Sequence, residues 1–87
     1  MKIIAELILS DDRIATIRQI LAIDWMTMIA SDKDSNLALI LTLTEIDGEE
    51  LTQEEVEYLP LEDFFVIANT IQREFKRITE FAPIFKD

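Results

Sequence analysis

The side chains able to do chemistry in this chain are almost all carboxylates: 18 Asp and Glu stand against 8 Lys and Arg, with no Cys and no His. Their absence removes disulfides, thiol nucleophiles, Cys/His zinc sites and imidazole acid–base catalysis together. Two acidic constellations remain. Asp32-x-Asp34-x-Asn36 occupies the first three ligand positions of an EF-hand loop, but Leu37 stands where the loop needs Gly and Leu43 where it needs a bidentate acid. N-capping of a following helix accounts for these residues better. Asp47-Gly48-Glu49-Glu50 could hold a divalent cation weakly, yet nothing nearby in sequence completes a coordination shell, and an acidic solvated turn is the simpler reading. General acid–base work needs a desolvated carboxylate pair in a cleft, whereas these acids fall in loops and helix starts. A single Gly cannot build a phosphate-cradling loop. The expectation is a non-enzymatic chain with no catalytic residue, no metal site and no cofactor.

The net charge of −10 is localised. Ten acids and no base lie between Asp34 and Gln72, while the rest of the chain carries eight of each sign and is neutral. An acidic surface argues against direct contact with nucleic-acid phosphates, which requires clustered Lys and Arg. Half of the 87 residues are nevertheless apolar, which is not the composition of a disordered tail. The length sets one domain over residues 1–87, with 81–87 as an apolar C-terminal tail. Met1-Lys2-Ile3-Ile4-Ala5 resembles the start of a signal peptide until Glu6 interrupts it, and the charge-free run from Ser35 to Thr44 is about half a membrane span. The expected location is a cytoplasm, with no membrane contact.

The elements that must position these groups are set by punctuation and period. Ser10-Asp11-Asp12-Arg13 either caps a helix or joins strands over Ile4–Leu9 and Ile14–Arg18, and the β-branched residues there lean to strand. From Gln19 onward, Ile20, Ile23, Trp25, Met26, Met28 and Ile29 suit a short helix buried over most of its circumference. The apolar run from Leu37 to Leu41 is a buried helix or a strand entering a type I′ turn at Asp47-Gly48. Glu49 to Glu55 shows no partner-strand pattern, so Gly48 reads as a helix C-cap. Thr52 with Glu55 forms a capping box, and Pro60 keeps that helix short. Phe64, Ala68, Ile71, Phe75 and Ile78, at alternating spacings of four and three, mark a last helix of four to five turns ended by Pro83. The expected fold class is therefore mainly α, a small bundle of about four helices, with a short N-terminal β-hairpin left open.

Function then falls to the apolar side chains. Trp25, Met26 and Met28 read as core. Adjacent Phe64 and Phe65 point about 100° apart on a helix, so one faces the core and the other a second surface. Phe81, Ile84 and Phe85 either fold back on the core or stay available to a partner. The candidate partner-binding set is Trp25, Phe64, Phe65, Phe75, Ile78, Phe81 and Phe85, beside an acidic surface of Glu49, Glu50, Glu54, Glu55 and Glu57.

The run from Asp34 through Leu37-Ala38-Leu39-Ile40-Leu41 to Thr44, then Gly48, then Leu51-Thr52 through Tyr58-Leu59-Pro60-Leu61-Glu62-Asp63-Phe64, resembles the tail assembly chaperones of long-tailed phages. Ala15-Thr16-Ile17-Arg18 and Asp24 are similar to that family's strand-then-helix entry, and the likeness spans residues 14–71. Glu45-Ile46-Asp47 lengthens the turn before Gly48, and the aromatic C-terminal extension has no counterpart. The resemblance implies a helical protein that coats the tape measure protein, keeps it soluble, assists tail-tube polymerisation around it, and works in the host cytoplasm. Partners would be the tape measure protein, the tail-tube protein or further copies of the chain, and neither nucleic acid nor membrane. Two other readings stand beside it: an acidic DNA mimic that inhibits a host nucleic-acid-binding protein, and a homo-oligomeric structural component of a tail-like particle.

Overall fold

The computed structural model describes residues 2–30 and 35–81, the side chains of residues 35, 36 and 81 excepted. Two strands open the chain, β1 (Ile3–Ile8) and β2 (Ile14–Arg18), followed by two helices, α1 (Ala22–Ala30) and α2 (Ser35–Leu43). Two short strands, β3 (Thr44–Ile46) and β4 (Glu49–Glu50), then precede the helices α3 (Gln53–Glu57) and α4 (Leu61–Phe81). Among the described residues the strands form one antiparallel sheet in the order β1-β2-β3-β4. The mainly α bundle expected from the sequence is thus corrected to a mixed α and β architecture: a four-stranded antiparallel sheet with helices packed on one face.

The hairpin left open for the first eighteen residues is present. Its loop closes through Leu9 N–H to the Arg13 carbonyl at 2.8 Å and Asp12 N–H to the Leu9 carbonyl at 3.0 Å, with Asp12 at φ 68°. Asp and Asn tolerate that left-handed backbone better than most residues. Register places Ala5, Leu7, Ala15, Ile17, Thr44 and Ile46 on one face, and Glu6, Ile8, Ile14, Thr16 and Glu45 on the other. The first set packs inward: Ala15 and Ile17 are fully buried, Thr44 and Ile46 nearly so.

The second hairpin overturns the reading of Gly48 as a helix C-cap. Asp47 and Gly48 have φ of 51° and 84°, the paired positive values of a type I′ turn, and they join β3 to β4. Asp47 also ties the turn to β2: its N–H donates to the Ile14 carbonyl at 2.9 Å, and its Oδ1 accepts from Ile14 N–H at 3.0 Å. Helix α2 ends at Leu43 and β3 begins at Thr44, with no intervening residue.

Helix α3 begins as the capping box requires, with Thr52 Oγ1 accepting from Glu55 N–H and the Glu55 carboxylate accepting from Thr52 N–H. In α4 the most buried positions are Asp63, Ile67 and Ile71, while Phe64, Ala68 and Phe75 flank them. The apolar stripe read from the sequence runs along this face with Ile71 at its centre, and Ile67, not part of that stripe, belongs with it. At 21 residues α4 is nearly six turns, longer than expected. The core joins Leu9, Ala15, Ile17 and Ile46 of the sheet side with Leu39, Ile40 and Leu43 of α2 and Ile67 and Ile71 of α4.

Two polar residues are buried with partners. Asp24 accepts both Arg18 terminal nitrogens at 2.7 and 2.8 Å and the Leu21 N–H at 2.7 Å, binding α1 to the end of β2. Asp63 accepts the Ser10 N–H at 2.9 Å and its hydroxyl at 2.8 Å, clasping the first hairpin to the start of α4.

Candidate functional site

The site is built from helix α1 upward. Its nine residues contain two polar side chains, Asp24 and Thr27. Asp24 is turned inward to Arg18, so Thr27 is the one polar side chain left among apolar groups on the solvent side. Ile23, Met26 and Ile29 are 60%, 61% and 64% exposed. The expectation of a helix buried round most of its circumference is corrected by these values, and Met26 does not belong to the core. Met28, half-buried, packs toward the core instead.

Where α1 approaches α4, Trp25 stacks on Phe75 with ring centroids 5.4 Å apart and planes 21° apart. This pair forms one wall of a cleft of about 350 Å³ between α1, α2 and α4. Met28, Leu39, Ile40 and Ile71 line its floor and walls, and Gln72, Lys76 and Thr79 bring polar groups to it. The volume lies at the lower end of small-ligand sites, and the lining is apolar with a few polar groups, the usual composition of a binding cleft.

The predicted site residues divide. Trp25 and Phe75 come together at the cleft. Phe64 packs against the core while Phe65, tilted against it at 6.1 Å between centroids, is 52% exposed. The two rings separate as the helical angle requires. Ile78 is half-buried three residues beyond Phe75. The Phe81 side chain, Phe85 and the Asp32-x-Asp34-x-Asn36 side chains lie outside what the structure describes.

Of the acidic set, Glu49 and Glu50 form strand β4, and Glu54, Glu55 and Glu57 lie on α3, all exposed. Glu55 is committed to the capping box. Ile23, Met26, Ile29, Gln72 and Lys76 were not among the predicted residues. No sequence signal marked the first three, because the inward turn of Asp24 to Arg18 is seen only in the structure.

Electrostatic perturbation lies in the ion pairs that hold the scaffold. The Arg18 guanidinium, bonded to Asp24, holds that carboxyl below its usual range despite burial, and Asp24 in turn raises Arg18. Glu74 is lowered by its bonds to Arg77 one turn on. Among the described residues there is no group of three or more Asp or Glu placed to hold a metal ion. No helix among them is long and apolar enough to cross a membrane.

Comparison with protein-family models, with curated proteins and with solved structures finds no match to this chain. Of the features that carry the resemblance to tail assembly chaperones, the helix over Ser35–Leu43 and the capped segment at Thr52 are present, whereas Gly48 closes a hairpin.

Proposed function

We propose that this chain is an assembly chaperone of the phage-tail type, which takes up an apolar helical segment of the tape measure protein and keeps that protein dispersed in the host cytoplasm. The observation that carries the reading is the apolar cleft beside Trp25 and Phe75, bordered by a helix α1 that presents Ile23, Met26 and Ile29 to solvent. Contiguous exposed apolar surface of this kind marks an interaction site, and a helix laid in an apolar groove is a recurrent mode of recognition. The exposed acids of β4 and α3 supply charge that keeps a complex apart from its neighbours.

Co-expression with a tape measure protein tests the proposal. The intact chain should move that protein from the pellet to the supernatant, and Met26→Glu should abolish the effect while leaving the chain's own melting temperature unchanged. An unchanged partition with the intact chain would overturn it. A homo-oligomeric structural role is the second reading, favoured by the absence of charge on the outer face of α1, where two copies could meet without repulsion. Sedimentation of the purified chain and its presence in mature particles decide that case.

A further inference from the structure

We propose that the segment held in this groove is an amphipathic helix of about five turns, acidic at one end and basic at the other, and that this bipolar charge fixes its direction. The proposal rests on the groove reading above and names the chemistry of its occupant. Leu61, Phe65, Ala68, Gln72, Phe75 and Thr79 follow one another at spacings of four and three, and so fall on one edge of α4. The last four of these line the cleft, and Leu61 and Phe65 lie exposed further along the same edge, toward the start of the helix. From Leu61 to Thr79 the edge runs roughly 27 Å, at about 1.5 Å per residue. That length suits a helix rather than a compact ligand.

Charge along this edge is not uniform. Among the described residues Arg13, Arg18 and Arg77 are held in ion pairs with Asp11, Asp24 and Glu74. Lys2, Arg73 and Lys76 have no such pair, and two of these three stand together beside the groove. Arg73 and Lys76, with Asn69 and Gln72, line an exposed depression next to the cleft, and Lys76 lines both. Arg73 and Lys76 outnumber the exposed Glu80 one turn beyond them, and the Glu74–Arg77 pair is neutral, so this end keeps a net positive charge in a chain of net charge −10. At the opposite end Glu62 follows Leu61, and Glu54 and Glu57 lie on the preceding helix, all exposed and without a base among their near neighbours in sequence. Glu62 and Lys76 are separated by about 21 Å of helix, about two Debye lengths at 0.1 M salt, so the two ends act largely independently. A partner acidic throughout would be repelled at the Leu61 end, and one basic throughout at the Lys76 end. Only a bipolar helix is matched at both, and only in one direction.

Three synthetic eighteen-residue peptides with the same Leu/Ala face test this against the full chain, with Trp25 emission as the probe, since the chain has one Trp and the peptides none. One peptide carries Glu at one end and Lys at the other, one Glu at both ends, and one Lys at both. The bipolar peptide should bind about fivefold more tightly than either of the others, as two or three rim charge pairs allow. The R73E/K76E variant should shift preference to the all-Lys peptide, and E62K, at the far end, should shift it to the all-Glu peptide. Equal affinity for all three peptides overturns the charge inference and leaves the groove standing. Saturable binding by none of them overturns the groove as well.

Discussion

Arg18 meets Asp24 with both terminal nitrogens, and the carboxylate is almost completely enclosed. Removing the carboxylate leaves the partly covered Arg18 without its partner and the Leu21 N–H with a weaker acceptor, so Asp24→Asn should cost about 2 kcal/mol of unfolding free energy, read from urea titration. The pH dependence follows from the same contact. The folded carboxyl titrates below its unfolded value of about 3.9, so its contribution is complete above that range. It is lost as pH falls through the folded value, and the variant should lack that acid-side slope. Thr44 is the opposite case, a hydroxyl buried to 1% with no partner for its Oγ1. Replacing it with the isosteric valine removes an unsatisfied polar atom and suits a strand position. Thr44→Val should stabilise the protein by about 1 kcal/mol, and a loss of stability would show that the hydroxyl has a role of its own.

At the scale of elements, the turn at Asp47-Gly48 shows how backbone conformation decides a local fold. Space around Gly48 is open, so a methyl group there would meet no neighbour. Its φ of +84° is nonetheless strained for any residue with a Cβ, and Gly48→Ala should cost about 1 kcal/mol through the backbone alone. A cost near zero would mean that the turn rearranges. This hairpin is also where the sequence was least legible. Asp47-Gly48 carries the strongest short hairpin signal, but β4 is only two residues long, too short to show the alternation that would have confirmed it. The chain passes from helix to strand at Leu43 and Thr44 without a Gly or Pro break, which hides β3 inside what reads as one helix. The capping box at Thr52 and the long period of α4 were readable because each depends on contacts within one turn or one face. The exposure of α1 was not. A mostly apolar helix looks alike in sequence whether a core or a partner covers it.

For the whole molecule, charge distribution matters more than any one pair. The segment between Asp34 and Gln72 carries ten acids and no base, and it includes β3, β4, α3 and the start of α4. Most of these acids are exposed, so their mutual repulsion is screened by salt, with a Debye length of about 10 Å at 0.1 M. Raising sodium chloride from 0.02 to ~0.5 M should therefore raise the melting temperature by a few degrees. A fall would mean that the ion pairs of Arg13, Arg18 and Arg77 outweigh the repulsion. The same distribution separates the two tasks assigned to the chain. Under the proposed function the exposed acids of β4 and α3 would keep complexes apart, while Arg73 and Lys76 would meet one end of the bound segment.

The direct junction of α2 with β3 has a mechanical consequence. With no residue between Leu43 and Thr44 to absorb a change of direction, α2 cannot slide or roll without disturbing the pairing of Thr44, Glu45 and Ile46 with β2. Leu39 and Ile40, which line the cleft, are thus fixed to the sheet as though to a rigid frame, and α4 is held to it by the Ser10–Asp63 clasp. Helix α1 is fastened near its start by Asp24 and the Trp25–Phe75 stack and leaves its outer face uncovered, so it is the wall of the cleft with the most freedom to move. Amide hydrogen exchange should report this as an ordered gradient, fast in the second half of α1 and slow through α2 into β3. Equal protection along both helices would make the groove a fixed mould instead of one with a single compliant side.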